Sequence, residues 1–414
     1  MVKRSISRVF VIIASIALLQ IVGTIILARN FTKPEMGFYR LVLTMIEYGS
    51  LLAIVGMDHS IVRFFSSAES QFSQYNWKKF LGFFPFSLIL ISFAFILLMS
   101  VAYKLNLQIS ILIFTSIILT GFAGILSSFL RAQKKYTLSA FLGRLNFLIF
   151  FAAVLLLVVL KSLSVTKTIL AYLISLLIAL SILKTYVFNK IPSGVHNLPS
   201  SIFRNRSYYF GMGLAFITII QAGNFFIAKM LSLKDLGVYA VLFGIMRLFE
   251  FTQDSIYYVL VPALNAKKHI PAKNIFLSLL LIGIVIGSFY LAFGGMIVHW
   301  LFSGRYDEGI PLIPFFIIIG IIKTLLILPT SIIGGKSSEQ TLQSQCYLFI
   351  LTALVNIVLT IVFIRQWQLK GVLLANLVSW SLLLLFTTLG TKKYWGSQTA
   401  ENNLQKDAFF YGKG

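Results

Sequence analysis

The sequence has 414 residues, 58% of them hydrophobic and only 11% charged. A soluble globular chain carries roughly 25% charged residues, so a string of soluble domains is excluded. The net charge of +23 would suggest nucleic acid in a soluble protein, but here the basic residues sit mostly in short loops between apolar runs, so no nucleic-acid partner is expected.

The apolar runs are long enough to cross a bilayer as helices. Helix is expected because lipid offers nothing to stray backbone N–H and C=O groups, and the runs lack the short alternating segments of a β-barrel. Taken in chain order, spans are expected at about 8–28, 39–57, 81–103, 109–130, 137–160, 168–188, 208–230, 238–261, 274–298, 311–333, 342–364 and 371–390. The chain is therefore all-α and polytopic, with about twelve transmembrane helices.

Lys3, Arg4 and Arg8 precede the first run as they would in a signal peptide, but Val11–Ala28 has span length. The second run carries Arg40 and Glu47, seven residues apart and so on one helix face, with Thr44 close by. Arg144 lies about two turns into the fifth. The eighth carries Arg247, Glu250 and Asp254 at steps of three and four, again one stripe. Lys323 is the most isolated charge, mid-span between Pro314 and Pro329, where a kinked or broken helix is expected. Cys346, the single cysteine, reads as a small buried hydrophobe.

Lys and Arg give an orientation. With the N-terminus inside, 21 basic residues fall on inner segments, 10 on outer ones and four within spans. Both termini are expected in the cytoplasm. No segment outside the spans is long enough to fold alone.

Two stretches match at a spacing of 200 residues. Ala28, Gly37 and Tyr39 recur as Ala228, Gly237 and Tyr239, and Thr32 and Glu35 recur as Ser232 and Asp235. Thr or Ser followed three residues later by an acid resembles a capping box opening the next helix; the shorter Asp235 makes the second copy the poorer one. Each copy joins the first two helices of a six-helix block. Six is even, so the blocks share one topology and can be related by a pseudo-two-fold axis along the membrane normal. The expected domains are a six-helix lobe at 1–190, a cytoplasmic linker at 191–207, a second six-helix lobe at 208–392 and a cytoplasmic tail at 393–414.

Leu27–Tyr39, the segment Gly56–Phe64, Leu130–Tyr136 and Phe302–Tyr306 together resemble the Wzx-type polysaccharide flippases of the multidrug/oligosaccharidyl-lipid/polysaccharide (MOP) exporter superfamily. The resemblance implies two pseudo-symmetric lobes around a central cavity. It also implies movement of an undecaprenyl-diphosphate-linked oligosaccharide, such as an O-antigen or capsular repeat unit, across a bacterial inner membrane. The implied partners are that lipid-linked oligosaccharide, membrane lipid, and a polysaccharide polymerase with its chain-length machinery.

For such a substrate, Arg40, Arg144, Arg247 and Lys323 are the expected cationic groups for the diphosphate. The plainer alternative is local neutralisation, Arg247 with Glu250 or Asp254 and Arg40 with Glu47, with Arg40 and Arg144 snorkelling towards the interfaces. Glu47, Glu250 and Asp254 are candidates to bind a coupling cation or proton. A drug or organic-cation antiporter of the same superfamily is the second reading. A membrane-embedded glycosyltransferase or polymerase is the third, and no large catalytic loop supports it, so an enzyme is not expected. Gly334-Gly335-Lys336-Ser337 lacks the first glycine and the preceding strand of a P-loop. The four histidines have no metal-ligand spacing. No metal or cofactor is expected.

Overall fold

The structure is a computed structural model, and it describes residues 2–67, 76–133, 135–188, 206–266, 272–336 and 338–395. These residues are overwhelmingly helical, in the order α1 (Val2–Asn30), α2 (Lys33–Ile54), α3 (Met57–Ser67), α4 (Trp77–Tyr103), α5 (Leu107–Ala132), α6 (Tyr136–Leu142), α7 (Leu145–Val159), α8 (Val165–Phe188), α9 (Arg206–Met230), α10 (Leu233–Ile245), α11 (Arg247–Ala266), α12 (Ala272–Phe302), α13 (Ile313–Lys336) and α14 (Glu339–Thr391). Ten helical segments among them are long and apolar enough to span a bilayer. Their outward faces are apolar: Val101, Leu107 and Val159 are each more than three-quarters exposed. Such surface is stable against lipid and not against water. The protein is a multi-pass membrane protein.

Ten differs from about twelve for two physical reasons. The expected span 238–261 is interrupted at Met246, and α11 carries three charged residues in its first eight. The expected spans 342–364 and 371–390 run together as α14, but Gln368 leaves helical geometry there (φ 49°, ψ −128°). Asn356 Nδ2 donates to Asn376 Oδ1 at 3.1 Å and to Ser379 Oγ at 3.0 Å. Gln345 reaches the Phe386 carbonyl, and the Ser338 amide donates to the Tyr394 hydroxyl. These pairs bracket Gln368 from both sides, so α14 is a hairpin of two antiparallel helices.

By contacts the chain divides into Met1–Gly244 and Ile245–Gly414. Most of the expected linker 191–207, and the tail from residue 396, lie outside the described residues.

In the first unit α2 packs on α4, α5 and α9. It is the least apolar of the ten spans and also the most buried. Its polar side chains are tolerated because they face protein and not lipid. Thr32 caps it with a complete capping box: the Thr32 amide donates to Glu35 Oε2 at 2.8 Å, and the Glu35 amide donates to Thr32 Oγ1 at 3.4 Å. In the second copy the Asp235 amide donates to Ser232 Oγ at 3.1 Å. The shorter carboxylate meets the Ser232 hydroxyl and not its backbone, so the box is incomplete as expected.

The repeated glycines meet each other. A Cβ on Gly37 would overlap the Leu233 carbonyl and crowd the Gly237 amide; a Cβ on Gly237 would overlap the Lys33 carbonyl and crowd the Gly37 amide. Residue 37 touches 233 while 237 touches 33, the reciprocal pattern of a two-fold contact. The loops entering α2 and α10 therefore lie side by side.

In the second unit α13 is central, packed on α11, α12 and α14. Gly283 and Gly287 of α12 face Ile317 and Ile321 of α13, so the small-residue motif is a helix-packing seam.

Candidate functional site

Each unit holds a cluster of charged and amide side chains. In the first, Arg40 is buried at 8% exposure. Its Nη2 donates to Gln221 Oε1 at 3.1 Å, and its guanidinium lies 5.0 Å from the centre of the Phe243 ring. Gln221 Nε2 donates in turn to Glu47 Oε2. A guanidinium only donates and a carboxylate only accepts, so the amide can stand one way round, oxygen to Arg40 and nitrogen to Glu47. Arg40 and Glu47 do share a face of α2, as their spacing predicts, but they do not pair directly; α9 inserts Gln221 between them.

Thr44 and Asn224 complete the cluster. Thr44 Oγ1 donates to Gln221 Oε1 at 3.3 Å, and Asn224 Nδ2 donates to both Thr44 Oγ1 (2.9 Å) and Gln221 Oε1 (2.6 Å). Tyr48 and Thr218 are joined at 2.9 Å beside it. Two buried atoms, Arg40 Nε and Asn224 Oδ1, have no hydrogen-bond partner among the described residues. Gln221 thus holds three donors on one oxygen and an acid on its nitrogen. Gln221→Leu should lower stability by about 2–4 kcal/mol, since it strips partners from a buried cation and a carboxylate together. Thermal unfolding of the detergent-solubilised protein measures this, and an unchanged midpoint would show that the network carries no weight.

In the second unit the charges pair directly. Lys323 Nζ donates to Glu250 Oε1 at 2.9 Å. Arg247 Nε lies 3.9 Å from Glu250 Oε2, one turn away on α11. The Lys323 ammonium sits 5.4 Å from the centre of the Trp380 ring, an aromatic face that adds to its binding. Gln253 Nε2 reaches Gly320 O and Thr324 Oγ1, both at 3.4 Å, tying α11 to α13 on the same side. Lys323, isolated in the sequence, is therefore paired in the fold. The pairing expected for Arg247 with Glu250 is present, and Lys323 joins it. Among the described side chains two cations share one carboxylate. The Asp254 side chain lies outside the described residues.

Arg144 stands apart from the Arg40 cluster. The expected fifth span breaks there: α6 ends at Leu142, α7 begins at Leu145, and Arg144 is the half-buried residue before it. α6 and α7 pack mainly on α1, α5 and α8, whereas the Arg40 cluster is built from α2 and α9.

Gln221, Asn224, Gln253 and Trp380 escaped the sequence reading. Gln221 and Asn224 did carry a signal: two amides one helical turn apart in an otherwise apolar run, where an unmet amide is costly. Trp380 carried none, because tryptophan is common in membrane helices.

Residues 2–266 match the family described as polysaccharide biosynthesis protein. The chain belongs to that family. No curated protein is similar in sequence to this polysaccharide biosynthesis protein. Its fold is that of the MOP superfamily. It is similar to the eukaryotic MATE transporter AtDTX14 (TM-score 0.67, 13% identity, 98% of each chain covered). It is also similar to a mutant of the Vibrio cholerae MATE transporter VcmN (TM-score 0.66, 12% identity, 99% of this chain and 98% of that one). A third similar structure is a Pyrococcus furiosus MOP-superfamily transporter (TM-score 0.58, 12% identity, 95% and 97% covered), for which a binding pocket of reverse polarity suggests a different function.

Proposed function

We propose that this polysaccharide biosynthesis protein is a flippase. It carries an undecaprenyl-diphosphate-linked oligosaccharide, an O-antigen or capsular repeat unit, from the cytoplasmic to the periplasmic leaflet of a bacterial inner membrane. Both termini face the cytoplasm in this reading. Access alternates between the two leaflets, and Arg40, Arg144, Arg247 and Lys323 are the cationic groups offered to the diphosphate. A polymerase and chain-length machinery use the product.

The observation that carries the reading is the sharing of Glu250 by Lys323 and Arg247. Two cations drawn to one carboxylate within the membrane suit an anionic cargo, because a phosphate group can take the place of the carboxylate between them. The family match supports a polysaccharide intermediate as that cargo. The reverse-polarity pocket of the Pyrococcus furiosus transporter is a parallel within the same fold.

The MATE likeness favours a second reading, an ion-coupled multidrug antiporter. A cationic drug would have to displace Lys323 or Arg247 from Glu250, which counts against it. Liposomes containing the purified full chain and a fluorescent undecaprenyl-diphosphate oligosaccharide separate the two. Flipping well above protein-free vesicles is expected, together with no gain of drug resistance in a sensitised host. Resistance without flipping would reverse the assignment.

A further inference from the structure

The two oxygens of Glu250 have different partners, Oε1 with Lys323 at 2.9 Å and Oε2 towards Arg247 at 3.9 Å. A carboxylate held this way copies two oxygens of a phosphate group seated between a lysine and an arginine. We infer that Glu250 is a resident counter-anion: in the empty carrier it occupies the place on Lys323 and Arg247 that the anionic cargo takes in the loaded one.

Three features carry the inference, which rests on the anionic-cargo reading above. The Lys323 side chain is only 11% exposed and sits over Trp380. An ammonium so placed needs an anion whenever cargo is absent, and among the described residues Glu250 is the carboxylate it meets. Glu250 is the more exposed partner at 27%, so the anion can leave while the buried ammonium stays. The Arg247 contact is an ion pair beyond hydrogen-bond length, the kind of hold that a better acceptor displaces. Neighbouring polar groups are engaged elsewhere: Tyr290 of α12 donates to Ile245 O, and Gln253 points to Gly320 and Thr324.

The inference fixes the sign of an effect. A coupling-ion site or a structural brace at Glu250 would give weaker or unchanged anion binding on neutralisation. A competitor, once removed, gives tighter binding. Farnesyl diphosphate, a short prenyl diphosphate, can be titrated calorimetrically into the purified full chain in nanodiscs. Glu250→Gln should bind it roughly tenfold tighter than the unaltered protein, and Lys323→Gln at least roughly tenfold weaker. Glu250→Asp keeps the charge but cannot span both cations, and it should bind a few-fold tighter. It serves as the measurement if Glu250→Gln does not fold. Weaker or unchanged binding in the Glu250 variants, with weaker binding in Lys323→Gln, overturns the counter-anion and leaves the anionic cargo standing. Absence of binding in the unaltered protein, or no loss in Lys323→Gln, overturns the anionic-cargo reading itself.

Discussion

Gly37→Val should remove most of the folded protein from the membrane. The space beyond the Gly37 α-carbon is filled by the Leu233 carbonyl and the Gly237 amide. Both are main chain near the start of α10, so no rotamer change makes room. The helix carrying Gly37 cannot retreat either, because the Thr32 capping box fixes its first turn and α4, α5 and α9 hold its flanks. Overpacking against a backbone that cannot shift costs about 3 kcal/mol or more, a large part of a typical total stability. The expected result is little monodisperse protein after solubilisation and a depressed unfolding midpoint in what remains. Gly23→Ala is the control: its nearest neighbour would be Phe151 Cδ2 at an ordinary 3.7 Å, so it should be neutral or slightly stabilising. Equal behaviour of the two variants would mean that the Gly37–Gly237 crossing is not tight.

Lys323→Ala should abolish export while the protein still inserts. The substitution removes the closest partner of Glu250 and leaves Arg247 at 3.9 Å. Two effects follow. A half-buried carboxylate loses its charge-assisted hydrogen bond, and the cargo of the proposed flippase loses one of its cations; each is worth about 1.5–3 kcal/mol. The second alone lowers transport by roughly ten- to a hundredfold. The double variant Lys323→Ala/Glu250→Ala separates them. It leaves no stranded carboxylate, so its unfolding midpoint should recover towards that of the unaltered protein, yet surface polysaccharide should stay absent. If export returns along with stability, Lys323 acts only as a brace and the cationic-site argument fails.

The spans were legible because lipid leaves a chain few options, and runs such as Val11–Ala28 or Ile275–Val298 answer that demand directly. The close approach at Gly37 and Gly237 was legible because a tight backbone crossing admits glycine alone. Partners were not legible. Hydropathy records how apolar a helix is and says nothing of what it faces, so Lys323 looked solitary although Glu250 meets it from 73 residues away. Arg40 and Glu47 were placed on one face correctly, but Gln221 approaches from a helix 181 residues downstream of Arg40 and takes both bonds. The break at Met246 had only a charge-rich stretch to announce it. The break beside Arg144 had only Gly143, in a run otherwise suited to continuous helix.

The Gln368 reversal fixes more than the shape of one hairpin. Arg365, Gln366, Gln368 and Lys370 cluster at its bend, where water can solvate them. At the opposite end the Ser338 amide is tied to the Tyr394 hydroxyl at 3.1 Å. Entry and exit of the last two spans are thus clasped together on a single side. Ser338 and Tyr394 must therefore share a compartment. An accessibility label attached at one will report the sidedness of the other.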